Sequence, residues 1–402
     1  MSTILMISYM FPPDGGPSVQ RVAKFAKYLA KFGHTLIILT TPATNNYKDY
    51  SLLKDLPEEI LIYRTTDIGR YIPGDIKKKL LSFLFFPDKA RLWHFTAVKK
   101  GIKLAKKYKV DIIFASSPPF SVQQIAQSIS QDLKIPLISD FRDEWSFYPD
   151  FHKWKKKKEH RILEKNILDY VSHVTTITEE AKTHFETITK TPVSVLTNGY
   201  DLEDFTNISE KTETKNEIVL SYCGRLNNTH SPRVFFKLLN EHIAKDNNFK
   251  NKFSIKIIGN KDNDKWVNSY PYLKPCVKIY DYLPHDQCLL EMANSDIFLL
   301  FATQMFTTQF LPAKMFEYFY FKKPVLAVIS RKGELFDVLS TYNACFVFLE
   351  NDIQHNAIEF ERLIKYFSRE IELPQANQTT IDTYNRRNIT AKLDKLIREI
   401  LK

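Results

Sequence analysis

Ten glycines in 402 residues leave few positions free to adopt a left-handed backbone. Each glycine that ends an apolar run is therefore informative about a special turn. The four cysteines, Cys223, Cys276, Cys288 and Cys345, have no paired spacing. That pattern argues against a disulfide framework or a cysteine metal site and fits reduced core residues in a cytoplasmic protein. No apolar run approaches the roughly 18 residues of a membrane span, and the first residues lead directly into an apolar strand. Neither a spanning helix nor a cleaved leader is expected. Acidic residues are outnumbered, 46 against 57 Lys and Arg, for a net charge of +11, so an anionic partner has to be considered.

Hydrophobic residues make up 44% and charged residues 26% of the chain, values of a soluble globular protein. A length of 402 residues exceeds one ordinary core and suggests two domains of roughly 200 residues each.

The chain opens on an apolar strand at residues 4–8, followed by a loop containing Gly15 and Gly16. A helix over 18–32 is expected next, with Ser18 as its cap, then a strand at 36–40. This βαβ unit places a glycine pair at a helix entrance, where backbone can approach a diphosphate or an acceptor closely. Lysines 99, 100, 103, 106 and 107 crowd the polar face of a helix starting near Trp93, and a second basic run spans 153–165. Lys77 to Lys79 stand beside the apolar segment 80–86, a combination suited to peripheral contact with an anionic membrane surface.

Strands at 111–115 and 135–140 follow, the second delivering Asp140, Phe141, Arg142, Asp143, Glu144 and Trp145 to the carboxyl edge of a sheet. Charged residues there followed by Trp make poor core, so this hexapeptide reads as a site. The polar stretch 207–216 fits a linker. A strand at 218–223 then ends in Gly224-Arg225, and a guanidinium delivered by such a turn can clamp a diphosphate through two parallel bonds. Asp262, Asn263 and Asp264 lie in a polar turn without further ligands, so no metal site is expected. Apolar runs at 295–301 and 324–329 read as buried parallel strands, so residues 312–321 must form the helix crossing between them. Its N-terminus offers unpaired N–H groups to an anion, with Lys314 in its first turn and Glu317 one turn further in.

These segments, in this order, resemble the family-four retaining glycosyltransferases, which have the two-domain GT-B fold. The resemblance rests on the first βαβ unit with Arg21, the Asp-Phe-Arg-Asp-x-Trp segment, Gly224-Arg225 and the Lys314-Met315-Phe316-Glu317-Tyr318 crossover, as in a subgroup with a Lys-x-Phe-Glu-Tyr motif. It implies an α/β fold of two doubly wound Rossmann-like domains facing across a cleft. It also implies an acceptor-binding domain at 1–205, a nucleotide-sugar domain at 206–380 and a terminal helix at 381–402 crossing back to the first domain. Glu317 matches the glutamate that receives the ribose hydroxyls of the donor. The family's other glutamate falls at Gln309, its usual histidine is absent from the 140–145 segment, and its lysine after Gly-Arg is missing, leaving His230, Arg233 or Lys314 to supply that charge.

The implied reaction is transfer from a nucleotide diphosphate sugar to an acceptor hydroxyl, with retention and with neither metal nor cofactor, in synthesis of cell-surface polysaccharide or glycoconjugate. The implied donor contacts are Gly15, Gly16, Arg225, Lys314, Glu317, Gln309 and Tyr282, with Arg225, Lys314, Asp143 and Arg142 as the catalytic candidates. Expected partners are the donor, a saccharide or lipid-linked saccharide acceptor and an anionic membrane surface. Two other classes stay open: an epimerase or hydrolase of sugar nucleotides on the same fold, and a basic nucleic-acid-binding protein. The basic runs lack the interleaved aromatics of a nucleic-acid reader, which disfavours the last.

Overall fold

The computed structural model of the chain describes residues 1–43, 48–72, 86–206, 208, 217–259, 261–303 and 311–402. Gln309, most of the expected linker and the Lys77 to Lys79 segment with its apolar neighbours to residue 85 lie outside them. No helix among the described residues is long and apolar enough to cross a membrane.

The chain divides into two compact units, residues 1–198 with 386–402, and residues 199–385. The first holds a seven-stranded sheet of order β3-β2-β1-β4-β5-β6-β7. Its strands are β1 Thr3–Ser8, β2 Thr35–Thr40, β3 Leu61–Arg64, β4 Ile112–Ser117, β5 Leu137–Phe141, β6 His173–Thr176 and β7 Val193–Val195. The second holds a six-stranded sheet of order β10-β9-β8-β11-β12-β13, built from β8 Ile218–Cys223, β9 Phe253–Ile258, β10 Val277–Tyr280, β11 Ile297–Ala302, β12 Val325–Ile329 and β13 Cys345–Leu349. Every pairing is parallel.

Parallel strands need crossover helices, and these cover both faces of each sheet, so the central strands are apolar throughout. The two-residue pleat sorts β1 between two cores: Leu5 and Ile7 pack with the 93–108 and 121–133 helices, while Ile4 and Met6 pack with the first helix. In β12, Val325, Ala327 and Ile329 face the core that holds the 313–320 helix, while Leu326 and Val328 face the one holding the 233–245 helix.

The first helix runs Pro17–Lys31 with Gly16 at its cap position (φ 111°), not from a Ser18 cap. Proline at the first helical position has its φ already set and loses no needed N–H, so it displaces the boundary by one residue. The terminal helix is Arg386–Ile400, preceded by a short helix Gln378–Thr383 that packs in the second unit. Ile389, Leu393 and Ile397 join Val22, Ala26 and Leu29 of the first helix in one core. His34 Nε2 lies 2.6 Å from Asp394 Oδ1.

Candidate functional site

Strand order reverses between β1 and β4 in the first sheet and between β8 and β11 in the second. At such a reversal the loops leave in opposite directions and open a crevice at the carboxyl ends, where α/β sheets take ligands. In the first unit the loop after β1 carries Gly15 and Gly16 to that edge. A Cβ added to Gly16 would meet nothing within 4 Å, so open space adjoins the start of the first helix.

Behind this edge lies a buried ion pair. Arg21 donates through Nη2 to Asp140 Oδ1 at 2.8 Å and through Nε to Oδ2 at 3.2 Å, with both side chains inaccessible. Asp140 also accepts from Ser116 Oγ at 2.6 Å and Thr175 Oγ1 at 2.9 Å, its register partners on β4 and β6. Burial alone would raise the Asp140 carboxyl, but Arg21, the Ser116 hydroxyl and the nearby Arg142 hold it below its ordinary value.

The 140–145 hexapeptide therefore departs from the expectation that it makes poor core. Asp140, Phe141, Arg142, Glu144 and Trp145 are all buried. Trp145 stacks on Phe120 at 4.4 Å and donates to His160 Nδ1 at 2.9 Å. Arg142 donates to the carbonyls of Pro118 and of Ser18, the latter at 3.2 Å, tying the turn after β4 to the first helix, while its Nε is buried with no hydrogen-bond partner. Asp143 is partly exposed. Burial pushes its carboxyl up and Arg142 opposes that shift.

The second unit gathers more of the named residues. Gly224 follows β8 with φ 148°, and Gly259 follows β9 with φ 147°. A Cβ on Gly259 would lie 2.7 Å from the Gly224 carbonyl oxygen, and one on Gly224 would lie 2.5 Å from Lys314 Nζ. Gly259 is required by close approach to backbone as well as by its own backbone angle, whereas at Gly224 it is the backbone angle that calls for glycine. The ammonium of Lys314 sits over the Tyr222 ring, 4.0 Å from its centroid. Burial pulls its pKa down to about 8, against the opposing influence of Cys223, Cys288 and Glu317.

Burial, with the nearby Lys314, depresses His230 to about 4, so His230 is neutral at physiological pH and supplies no cation. Arg233 lies over the Trp266 ring at 5.1 Å. Of the three candidates for the charge that accompanies Gly224-Arg225, Lys314 is the one placed beside Gly224.

Lys314 lies in the first turn of the crossover helix Ala313–Tyr320, which Pro312 precedes. Glu317, one turn on, accepts through Oε1 from His285 Nε2 at 2.8 Å, while its Oε2 has no partner among the described residues. His285 begins the helix after Pro284. The pairing spans 32 residues, so spacing gave no sign of it. Tyr282 is 38% exposed. Arg225 is exposed, with no ion pair among the described residues, and its carbonyl accepts from Tyr222 Oη at 3.3 Å. Asn263 has a structural role: its Oδ1 accepts from Leu226 N at 3.0 Å and its Nδ2 donates to the Gly224 carbonyl at 3.4 Å.

Two parallel sheets of seven and six strands with these crossovers make an α/β fold of the GT-B kind, and solved structures share it end to end. The chain is similar to a sucrose-phosphate synthase from Thermosynechococcus elongatus at TM-score 0.68 and 12% identity, over 100% of this chain and 99% of that one. It is similar to a glycosyltransferase from Rickettsia africae at 0.64 and 17%, again over 100% and 99%. It is also similar to the lipopolysaccharide outer core galactosyltransferase WaaB at 0.61 and 16%, over 99% of each chain. Residues 18–204 match the model of Glycosyltransferase Family 4. No curated protein sequence matches the chain.

Proposed function

We propose that this protein transfers a glycosyl group from a nucleoside diphosphate sugar to an acceptor hydroxyl, with retention and without a metal, in the synthesis of a cell-surface polysaccharide or glycoconjugate. The observation that carries the reading is the cluster at the β8/β11 reversal: the Lys314 ammonium against Gly224, the amino end of the 313–320 helix, and Glu317 held by His285. A departing diphosphate needs fixed positive charge where its own charge builds. Lys314, Arg225 and the first amides of that helix are the groups proposed to supply it. The open oxygen of Glu317 accepts from ribose hydroxyls. The matched family model over 18–204 and a structural neighbour described as bound to UDP support the same assignment.

Glu317 meets neutral hydroxyls that are present equally in ground and transition states, so Glu317→Ala is expected to weaken donor binding by about 1.5 to 3 kcal/mol with little change in turnover. Calorimetric titration with uridine diphosphate, alongside single-turnover transfer, reads both quantities. Parent-like donor affinity in a folded Glu317→Ala protein would refute the site.

The charge on Lys314 gives an independent pH signature. Above pH about 8 the folded protein sheds a proton that the unfolded chain keeps to about 10.5. Stability should thus rise with pH across that window, while donor affinity falls. Lys314→Arg should move the affinity loss to higher pH. A flat affinity profile between pH 7 and 9 in the parent would remove Lys314 from the donor site.

A second reading has its own support, because UDP-N-acetylglucosamine 2-epimerases share the fold, at TM-scores of 0.59 and 0.58. Conversion of the donor with no acceptor present would favour it.

A further inference from the structure

Glu317 does not stand alone at the β8/β11 reversal. The helices His285–Ala293 and Ala313–Tyr320 are the crossovers on either side of β11 in sequence. Both pack in one core, through Leu289 and Met292 of the first and Met315 and Phe316 of the second, so their amino ends reach the same carboxyl edge of the sheet. His285 opens its helix directly after Pro284. Its Nε2 lies 2.8 Å from Glu317 Oε1, with the two side chains 14% and 17% exposed. A carboxylate only accepts, so the hydrogen of this bond is carried by Nε2. The imidazole takes one of the carboxylate's lone pairs, and the others are left for a ligand with neighbouring hydroxyls.

We infer that His285 is the residue that makes this site selective for ribonucleotides over 2′-deoxyribonucleotides, an inference that rests on the transferase reading above. A glutamate with no second contact swings into water when a ligand hydroxyl is missing, and the absence then costs little. A tethered carboxylate cannot turn away. A nucleotide without its 2′-hydroxyl leaves one of that carboxylate's acceptor sites desolvated and unpaired, the condition under which a site rejects an analogue strongly. The tether also lowers the rotamer freedom lost when the correct ribose binds, so it favours one nucleotide while penalising the other. His285 acts through Glu317 and is a positioning residue. The diphosphate groups cannot discriminate in this way, because a 2′-deoxy nucleotide presents the same phosphates to Lys314, Arg225 and the 313–320 helix.

The test is calorimetric titration of the full chain with the ribo and 2′-deoxy forms of uridine, adenosine and guanosine diphosphate, the base that binds most tightly carrying the comparison. The parent is expected to prefer its ribonucleotide by about tenfold or more. His285→Ala should bring that preference to within about twofold, by weakening the ribonucleotide while the deoxy form keeps its parent affinity. His285→Gln, which keeps an N–H to offer Oε1, should restore most of it. Glu317→Ala should abolish the preference by itself, and adding His285→Ala to it should change either affinity by no more than about twofold, because the histidine acts only through the carboxylate. A folded His285→Ala protein that loses ribo and deoxy affinity in equal proportion would reduce His285 to a tether between helices and overturn the inference. A parent that binds both forms alike would overturn it too. Either result leaves donor binding, and with it the transferase reading, standing, whereas a folded parent that binds none of the diphosphates would overturn both.

Discussion

Replacing Arg21 with alanine is expected to destabilise the first unit by about 3 to 5 kcal/mol, the cost of stranding a buried carboxylate. Asp140 would keep two hydroxyl donors but lose both guanidinium bonds in a position with no access to water. For a unit of roughly 200 residues this corresponds to a fall in melting temperature of about 6 to 20 °C. Asp140→Asn should cost less than Arg21→Ala, because a neutral amide needs no counter-charge. The double variant Arg21→Met with Asp140→Leu should recover part of the loss, since replacing both ions with apolar groups removes the unpaired charge. Asp140 has its folded pKa lowered, so its contribution is present above the ordinary carboxylate range and is lost as pH falls through the folded value. Thermal melts of the three variants check this, and a parent-like melt for Arg21→Ala would show that the pair contributes nothing.

Arg225→Ala should lower turnover roughly 100-fold or more while changing the donor dissociation constant much less. Its guanidinium is exposed beside Gly224 and has no ion pair among the described residues, so it is available to charge that appears only as the diphosphate departs. Removing one preorganised donor from such a site typically has an effect of that size. Arg225→Lys should restore only part of the rate, because an ammonium lacks the planar fork. Lys314→Ala, by contrast, removes a charge placed against bound donor and should affect affinity and rate together. Steady-state and single-turnover transfer by purified variants separate the two, and parent-like turnover by a folded Arg225→Ala protein would refute the assignment.

The fold was legible because fully covered parallel strands read as continuous apolar runs, as in 297–302 and 325–329, and because an intervening 8-residue helix can only be the crossover between them. Gly224 was legible too, since a scarce glycine directly after a strand implied a special backbone angle, observed at φ 148°. Long-range pairings were not. Arg21 and Asp140 are 119 residues apart, so nothing in the segment 140–145 announced that its aspartate is half of a buried ion pair. The acceptors of Arg142 were not legible either, because the carbonyls of Pro118 and Ser18 carry no side-chain signal in the sequence. The grouping of cations around one cavity beside the Gly224-Arg225 turn also escaped, since they come from a turn, a helix start and a short helical segment that are scattered in sequence. Only the fold brings Arg225, Arg233 and Lys265 together.

The terminal helix has a consequence for how the protein is made. Its Ile389, Leu393 and Ile397 cover part of the apolar stripe on the first helix that includes Val22, Ala26 and Leu29, yet about 355 residues separate Lys31 from Arg386. At roughly 5 to 20 residues per second, the ribosome leaves that stripe uncovered for about 20 to 70 s. The first unit, although it begins at the N-terminus, is the last to be finished, and the second can close while its predecessor still waits for its final helix. A nascent chain stalled or cut near residue 385 would retain both sheets but carry an uncovered apolar face, a substrate for a holdase chaperone or for self-association.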